Sequence, residues 1–137
     1  MTVEDRVEKA INMHNAGGNC AQAVSCAFSD VTGVGDDTMF RVMEGYGFGM
    51  GCMEGTCGAI SGAVAVAGTL SSKGSPEGKT KQATYKLSKQ ILQKFREQNG
   101  SSICGELKGM ETGRVLRSCQ DCIEDAVRIA CEVLDLK

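Results

Sequence analysis

Apolar residues recur at three- and four-residue spacing along almost the whole chain, and no run of alternating Val, Ile, Thr and aromatic residues marks a strand. The pattern predicts an all-α domain. A first helix, about residues 2–16, gathers Val3, Val7, Ala10, Ile11 and His14 on or near one face and ends at Gly17-Gly18. A second runs from an Asn19 cap through Ala21, Val24, Phe28 and Val31 to Gly33. Asp36 and Asp37 cap a third, about 38–44, which breaks into the glycine loop GYGFGMG. The fourth, from near Cys57 to about Ser72, is apolar but built of small residues. Gly58 and Gly62 leave one of its stripes bare for a close neighbour, which places this helix at the centre. Ser75 and Pro76 open a fifth, amphipathic through Ala83, Leu87, Ile91 and Phe95 to Gly100. The last, about 118–134, carries Cys122, Ala126, Ile129, Ala130 and Val133 on its buried stripe, and residues 101–117 read as a turn plus loop. The expectation is a single-domain bundle of about five to six helices over residues 1–137, with a central small-residue helix and no internal repeat.

A chain of 137 residues can bury a core without covalent staples, so its eight cysteines are free for chemistry. Net charge is -2, both signs are interspersed and aromatics are few, which argues against a nucleic-acid partner. The longest apolar stretch, Ala59 to Ala67, is far short of the ~20 residues that cross a bilayer, so no membrane insertion is expected. The opening MTVEDRVEKA has no apolar segment of a secretory signal, and the expected location is cytoplasmic. In a reducing compartment, cysteines at this density point to metal binding or redox chemistry rather than structural disulfides.

The thiols fall into two groups. Asn19-Cys20, Thr56-Cys57, Ser118-Cys119 and, one residue looser, Ser102-Ile103-Cys104 each set a capping residue ahead of a cysteine. Four cysteines therefore belong at helix N-termini, where unpaired amides and the positive end of the dipole favour a thiolate. Converging, they would make a site for a metal held by Cys20, Cys57, Cys104 and Cys119, with Cys57 and Cys20 as redox thiols. Cys57 is expected to alkylate first in metal-free protein. Gly49, Gly51, Gly55 and Gly58 are expected beside these sulfurs or the cofactor they hold, where the chain must come close to them, and at least one of the first three is expected to have a positive φ. Cys26 and Cys131 lie on other helix faces, about 240° from Cys20 and about 180° from Cys122, and read as small core residues. Cys52 and Cys122 stay open: either could belong to the site. His14, the single histidine, reads as a hydrogen-bonded, partly buried residue rather than a ligand or a catalytic base. The glycines of GYGFGMG do not make a phosphate loop, since neither the spacing nor a following Gly-Lys-Ser/Thr is present.

The order Cys20, then Cys57-Gly58-Ala59-Ile60-Ser61-Gly62, then Cys104 and Cys119 resembles the C_GCAxxG_C_C family of bacterial proteins over nearly the whole chain. Family-like phrases surround the cysteines: NCAQAV, GMG, CGELKG and CIEDAV. The family label writes Gly-Cys-Ala where this chain reads Cys57-Gly58-Ala59, and Cys26, Cys52, Cys122 and Cys131 are additional to its pattern. The resemblance implies a small protein regarded as redox-active through its four cysteines. A similar domain accompanies haem in split-Soret cytochromes, but Cys119-Gln120-Asp121-Cys122 is followed by Ile123 rather than the His of a c-type attachment motif.

Three functions fit these residues. One is electron transfer through an iron-sulfur cluster on Cys20, Cys57, Cys104 and Cys119. Another is a dithiol-disulfide oxidoreductase, with Cys52 or Cys122 as a resolving thiol. The third is a structural zinc site that staples the bundle. An oxidoreductase or an electron carrier would need a redox partner protein, which the sequence does not identify. A homodimer through the small-residue helix is compatible with all three.

Overall fold

The protein, analysed as a computed structural model, is described over residues 1–137. It is all-α: α1 (Val3–Asn15), α2 (Cys20–Cys26), α3 (Ser29–Thr32), α4 (Asp36–Met43), α5 (Gly58–Ser71), α6 (Lys81–Asn99), α7 (Cys104–Lys108) and α8 (Cys119–Val133). Thr2 caps α1 and Asn19 caps α2, each in a reciprocal box with the third helical residue, Asp5 and Gln22 respectively. Asn19 and Gln22 also reach out of their helix. Their side-chain amides donate to the Glu44 and Phe40 carbonyls, both at 2.9 Å, and so pin the end of α4 to the start of α2.

Helix α5 lies at the centre, against α2, α6 and α8. Its glycine stripe is occupied within the chain: a Cβ on Gly62 would stand 2.7 Å from the Ala21 carbonyl oxygen, closer than packed atoms allow. Phe28, Phe95, Ile60, Ile91, Ile123 and Ile129 fill the main core around it. Cys26 is buried in a smaller cluster with Ala21, Met39 and Met43, and Cys131 in the main one. No helix is long and apolar enough to cross a membrane.

The helix count exceeds the sequence reading of five to six for two reasons. The expected second helix breaks into α2 and α3 at Phe28, because the Arg6 guanidinium donates to the Ala27 carbonyl at 3.0 Å and takes an acceptor that a continuing helix would use. Arg6 also lies 4.8 Å over the Phe28 ring and pairs with Asp30 at 2.6 Å, which holds the break in place. The second addition is α7, five residues within the segment expected to be loop. The fifth expected helix also starts later. Pro76–Gly78 form a separate 3-10 turn that the left-handed Lys79 closes, and α6 begins at Lys81.

Candidate functional site: a cavity lined by five thiols

The local sequence puts the thiols at helix starts. Cys20, Cys104 and Cys119 are the first residues of α2, α7 and α8, while Cys57 is itself the cap position of α5. Ser118 caps α8 by accepting from the Asp121 amide at 3.1 Å. Arg117 anchors that start by donating from its Nε and Nη2 to the two oxygens of Asp125, at 2.9 and 3.0 Å.

Two short links assemble these ends. The Cys57 amide donates to Ser102 O at 2.8 Å and the Cys104 amide to Gly55 O at 3.0 Å, around an antiparallel bridge between Thr56 and Ile103. The Leu107 carbonyl accepts from the amides of Leu116 and Arg117, at 2.9 and 3.2 Å, and ties the end of α7 to the approach to α8. That link delivers Lys108 to Cys119, with its ammonium hydrogen-bonded to the sulfur.

The result is one cavity of about 170 Å³ bordered by Cys20, Cys57, Cys104, Cys119 and Cys122. His14, Phe48, Lys108 and Arg117 complete its wall. The His14 ring Nδ1 lies 3.1 Å from the Gly18 carbonyl; an acceptor there requires the proton on Nδ1.

Of the glycines expected at the site, Gly58 borders the cavity, with the Cys20 Cβ 3.4 Å from where its own Cβ would be. Gly55 acts through its carbonyl on the Cys104 amide. Gly51 faces open space and does not approach the sulfurs. Gly49 makes the expected close approach with the expected positive φ: it is left-handed at φ 56, and a Cβ there would meet the Cys104 Cβ at 2.5 Å. Cys52 is exposed on the same loop, outside the cavity wall.

The thiols interact in pairs. Cys20 and Cys119 are neighbours, as are Cys57 and Cys122. The Cys20 thiol is the largest influence on Cys119. Lys108 adds a hydrogen bond and its charge, and against the cost of partial burial they bring Cys119 down to about 5. Cys20 is pushed up correspondingly, by Cys119 first and then by burial. Burial opposes the Lys108 charge, but the sulfurs of Cys119, Cys104 and Cys20 outweigh it and hold the ammonium above its ordinary value. In the second pair Cys122 lowers Cys57, helped against burial by the amides of Ala59 and Ile60 at the start of α5. Cys122 is raised by Cys57 and by burial. Within each pair one thiol therefore ionises more readily than its partner, Cys119 before Cys20 and Cys57 before Cys122. Cys104 has no such partner and burial raises it.

Cys57 and Cys20, expected as redox thiols, fall in different pairs, and Cys122, one of the two expected resolving thiols, stands beside Cys57. The pairings also move the accessible thiolate: Cys57 is 5% exposed, whereas Cys119 is half-buried at the cavity wall. Cys119, lowered and more exposed than Cys57, is therefore the member of these pairs expected to alkylate first near neutral pH. Lys108 was missed entirely, although its position four residues after Cys104 was a signal, since that spacing puts both on one face of a helix.

As placed, no three or more Cys, His, Asp or Glu side chains form a group that could hold a metal ion. The thiols stand as two neighbouring pairs, one of them with an ammonium on its sulfur.

An all-α, cysteine-rich domain with thiols gathered at helix starts is thus the class of protein that fold and site define. A family model described as "Putative redox-active protein (C_GCAxxG_C_C)" matches residues 18–133, and the chain belongs to that family. No curated protein and no solved structure matches it.

Proposed function

We propose that this protein carries out thiol-disulfide redox chemistry, with Cys119 as nucleophile and Cys20 as its resolving partner. The observation that carries the reading is the Cys20–Cys119 pair at the cavity wall with the Lys108 ammonium on the Cys119 sulfur. The Cys119 thiolate attacks one sulfur of a substrate disulfide, forms a mixed disulfide and releases the other sulfur as a thiolate. Cys20 then attacks the Cys119 sulfur, closes the Cys20–Cys119 disulfide and expels the second substrate thiolate, which takes up the Cys20 proton. A reduced partner protein runs the sequence in reverse and returns both thiols. Lys108 stabilises Cys119 as nucleophile and as leaving group.

A second reading has its own support. Five thiols border one cavity, and an iron-sulfur cluster there would make the protein an electron carrier. It requires the two pairs to be drawn into one ligand set.

Protein purified without oxygen decides between them by metal content, absorption spectrum and disulfide mapping after a small disulfide is added. The thiol reading expects colourless, metal-free protein that forms Cys20–Cys119. Stoichiometric iron and sulfide with visible absorption would overturn it, and stoichiometric zinc would assign the thiols a structural role.

A further inference from the structure

Four of the clustered sulfurs can be joined neighbour to neighbour into a row from the more exposed pair to the less exposed one. Cys20 and Cys119 are partly exposed, while Cys122 and Cys57 are 2% and 5% exposed. Cys20 neighbours Cys119, and Cys57 neighbours Cys122. The middle link is the first turn of α8, where Cys119 and Cys122 are three residues apart on one face, with Cβ atoms about 5–6 Å apart in a regular helix. Their Cα atoms, about 5 Å apart by the same geometry, fall within the range a disulfide spans, and the first turn of α8 must give by about 1 Å to bring the Cβ atoms into that range as well. Of the two pairs, the first is the more exposed to a substrate in solution.

We propose that the site is an intramolecular relay, in which a disulfide formed at Cys20–Cys119 passes through Cys119–Cys122 to Cys57–Cys122 and frees the outer pair for another turnover. This rests on the thiol-redox reading above. In the first exchange Cys122 attacks the Cys119 sulfur, the Cys20–Cys119 bond breaks, and the proton leaving Cys122 goes to the released Cys20 sulfur. In the second the Cys57 thiolate attacks the Cys122 sulfur, the Cys119–Cys122 bond breaks, and Cys119 leaves as a thiolate on Lys108. The outer pair is reduced and the inner pair oxidised, with no external electron and no net proton. The Lys108 contact favours the reduced form of the outer pair and so drives the disulfide inward. Cys104 borders the cavity without a sulfur partner and stays outside the row.

The test uses reduced, metal-free, full-length protein under anaerobic conditions with bis(2-hydroxyethyl) disulfide. Timed samples are acid-quenched, alkylated and mapped for disulfide-linked peptides. With one equivalent, Cys20–Cys119 is expected first, then Cys57–Cys122 as Cys20 and Cys119 become free again. With excess, four row thiols are consumed in the wild type and half as many in Cys122→Ala, where the outer disulfide still forms and Cys57 stays free. A disulfide that remains at Cys20–Cys119, with only that pair consumed in excess reagent, would overturn the relay and leave the parent reading intact. Inner-pair oxidation as fast in Cys119→Ser as in the wild type would also overturn it, because the inner thiols would then be reached directly. Failure of the wild type to form Cys20–Cys119 under any excess removes the parent reading and the relay together.

Discussion

Helix α8 carries Cys119 at its first position and Cys131 near its end, and these two are chemically opposite. Cys119 stands in the first turn with the Cys20 thiol and the Lys108 ammonium about its sulfur, and is brought down to about 5. Cys131 is buried in the core, where desolvation raises it and only the outlying charges of Arg6 and Arg128 pull the other way. Burial alone does not separate reactive from inert thiols. Cys57 and Cys131 are about equally buried, at 5% and 3% exposed, yet their shifts have opposite signs. What separates them is a helix start and a sulfur partner.

The contrast is most sharply tested at Cys20. Cys20→Ala removes the largest influence on Cys119, and iodoacetamide labelling of Cys119 at pH 6 should slow by about tenfold or more, the equivalent of a pKa rise of roughly two units. Time-resolved mass spectrometry gives the rate, with Cys131 as the unreactive internal control. Lys108→Met should have the same direction and a smaller effect, about threefold to tenfold, because the Cys20 thiol remains. An unchanged Cys119 rate in both variants would erase the difference between the two ends of the helix.

The stability of the reduced protein should follow pH in two opposing ways. Cys119 has a lowered folded pKa, so its contribution is full above the unfolded value of about 8.5 and is lost as pH falls through about 5. Cys20 and Cys122 are raised, so above about 8.5 the folded state keeps protons that the unfolded chain releases, and stability falls again. Urea midpoints under reductant should therefore rise between pH 5 and about 8 and decline beyond about 9. The smallest effect belongs to Cys131→Ala: a loss of about 1 kcal/mol from one buried sulfur, with Cys119 labelling unchanged.

The helical class and the placing of cysteines at helix starts were legible because caps are local: Asn19-Cys20 and Ser118-Cys119 announce themselves within a few residues. The break at Phe28 was not, since Arg6, which takes the Ala27 carbonyl, comes from another helix. Helix α7 was missed because five residues are too few to show a period, and with it went the Lys108 contact to Cys119. The pairing of Cys122 with Cys57 depends on how α8 meets the start of α5, a tertiary fact that no spacing within either helix encodes.

The bridge between Thr56 and Ile103 has a consequence for how this chain tolerates change in length. It closes the base of the hairpin made by α5 and α6, so Cys57 and Cys104 are held together there and not by the residues that separate them. The tip of that hairpin, around Ser72 to Thr80, lies a whole α5 away from the sulfurs, about 20 Å along the helix. Once such a loop is closed at its neck, doubling its length costs only about 0.6 kcal/mol. Insertions at the tip should therefore leave the cysteine geometry undisturbed, while a proline at position 57 or 104, which removes one of the bridging amides, should unfasten both helix starts together.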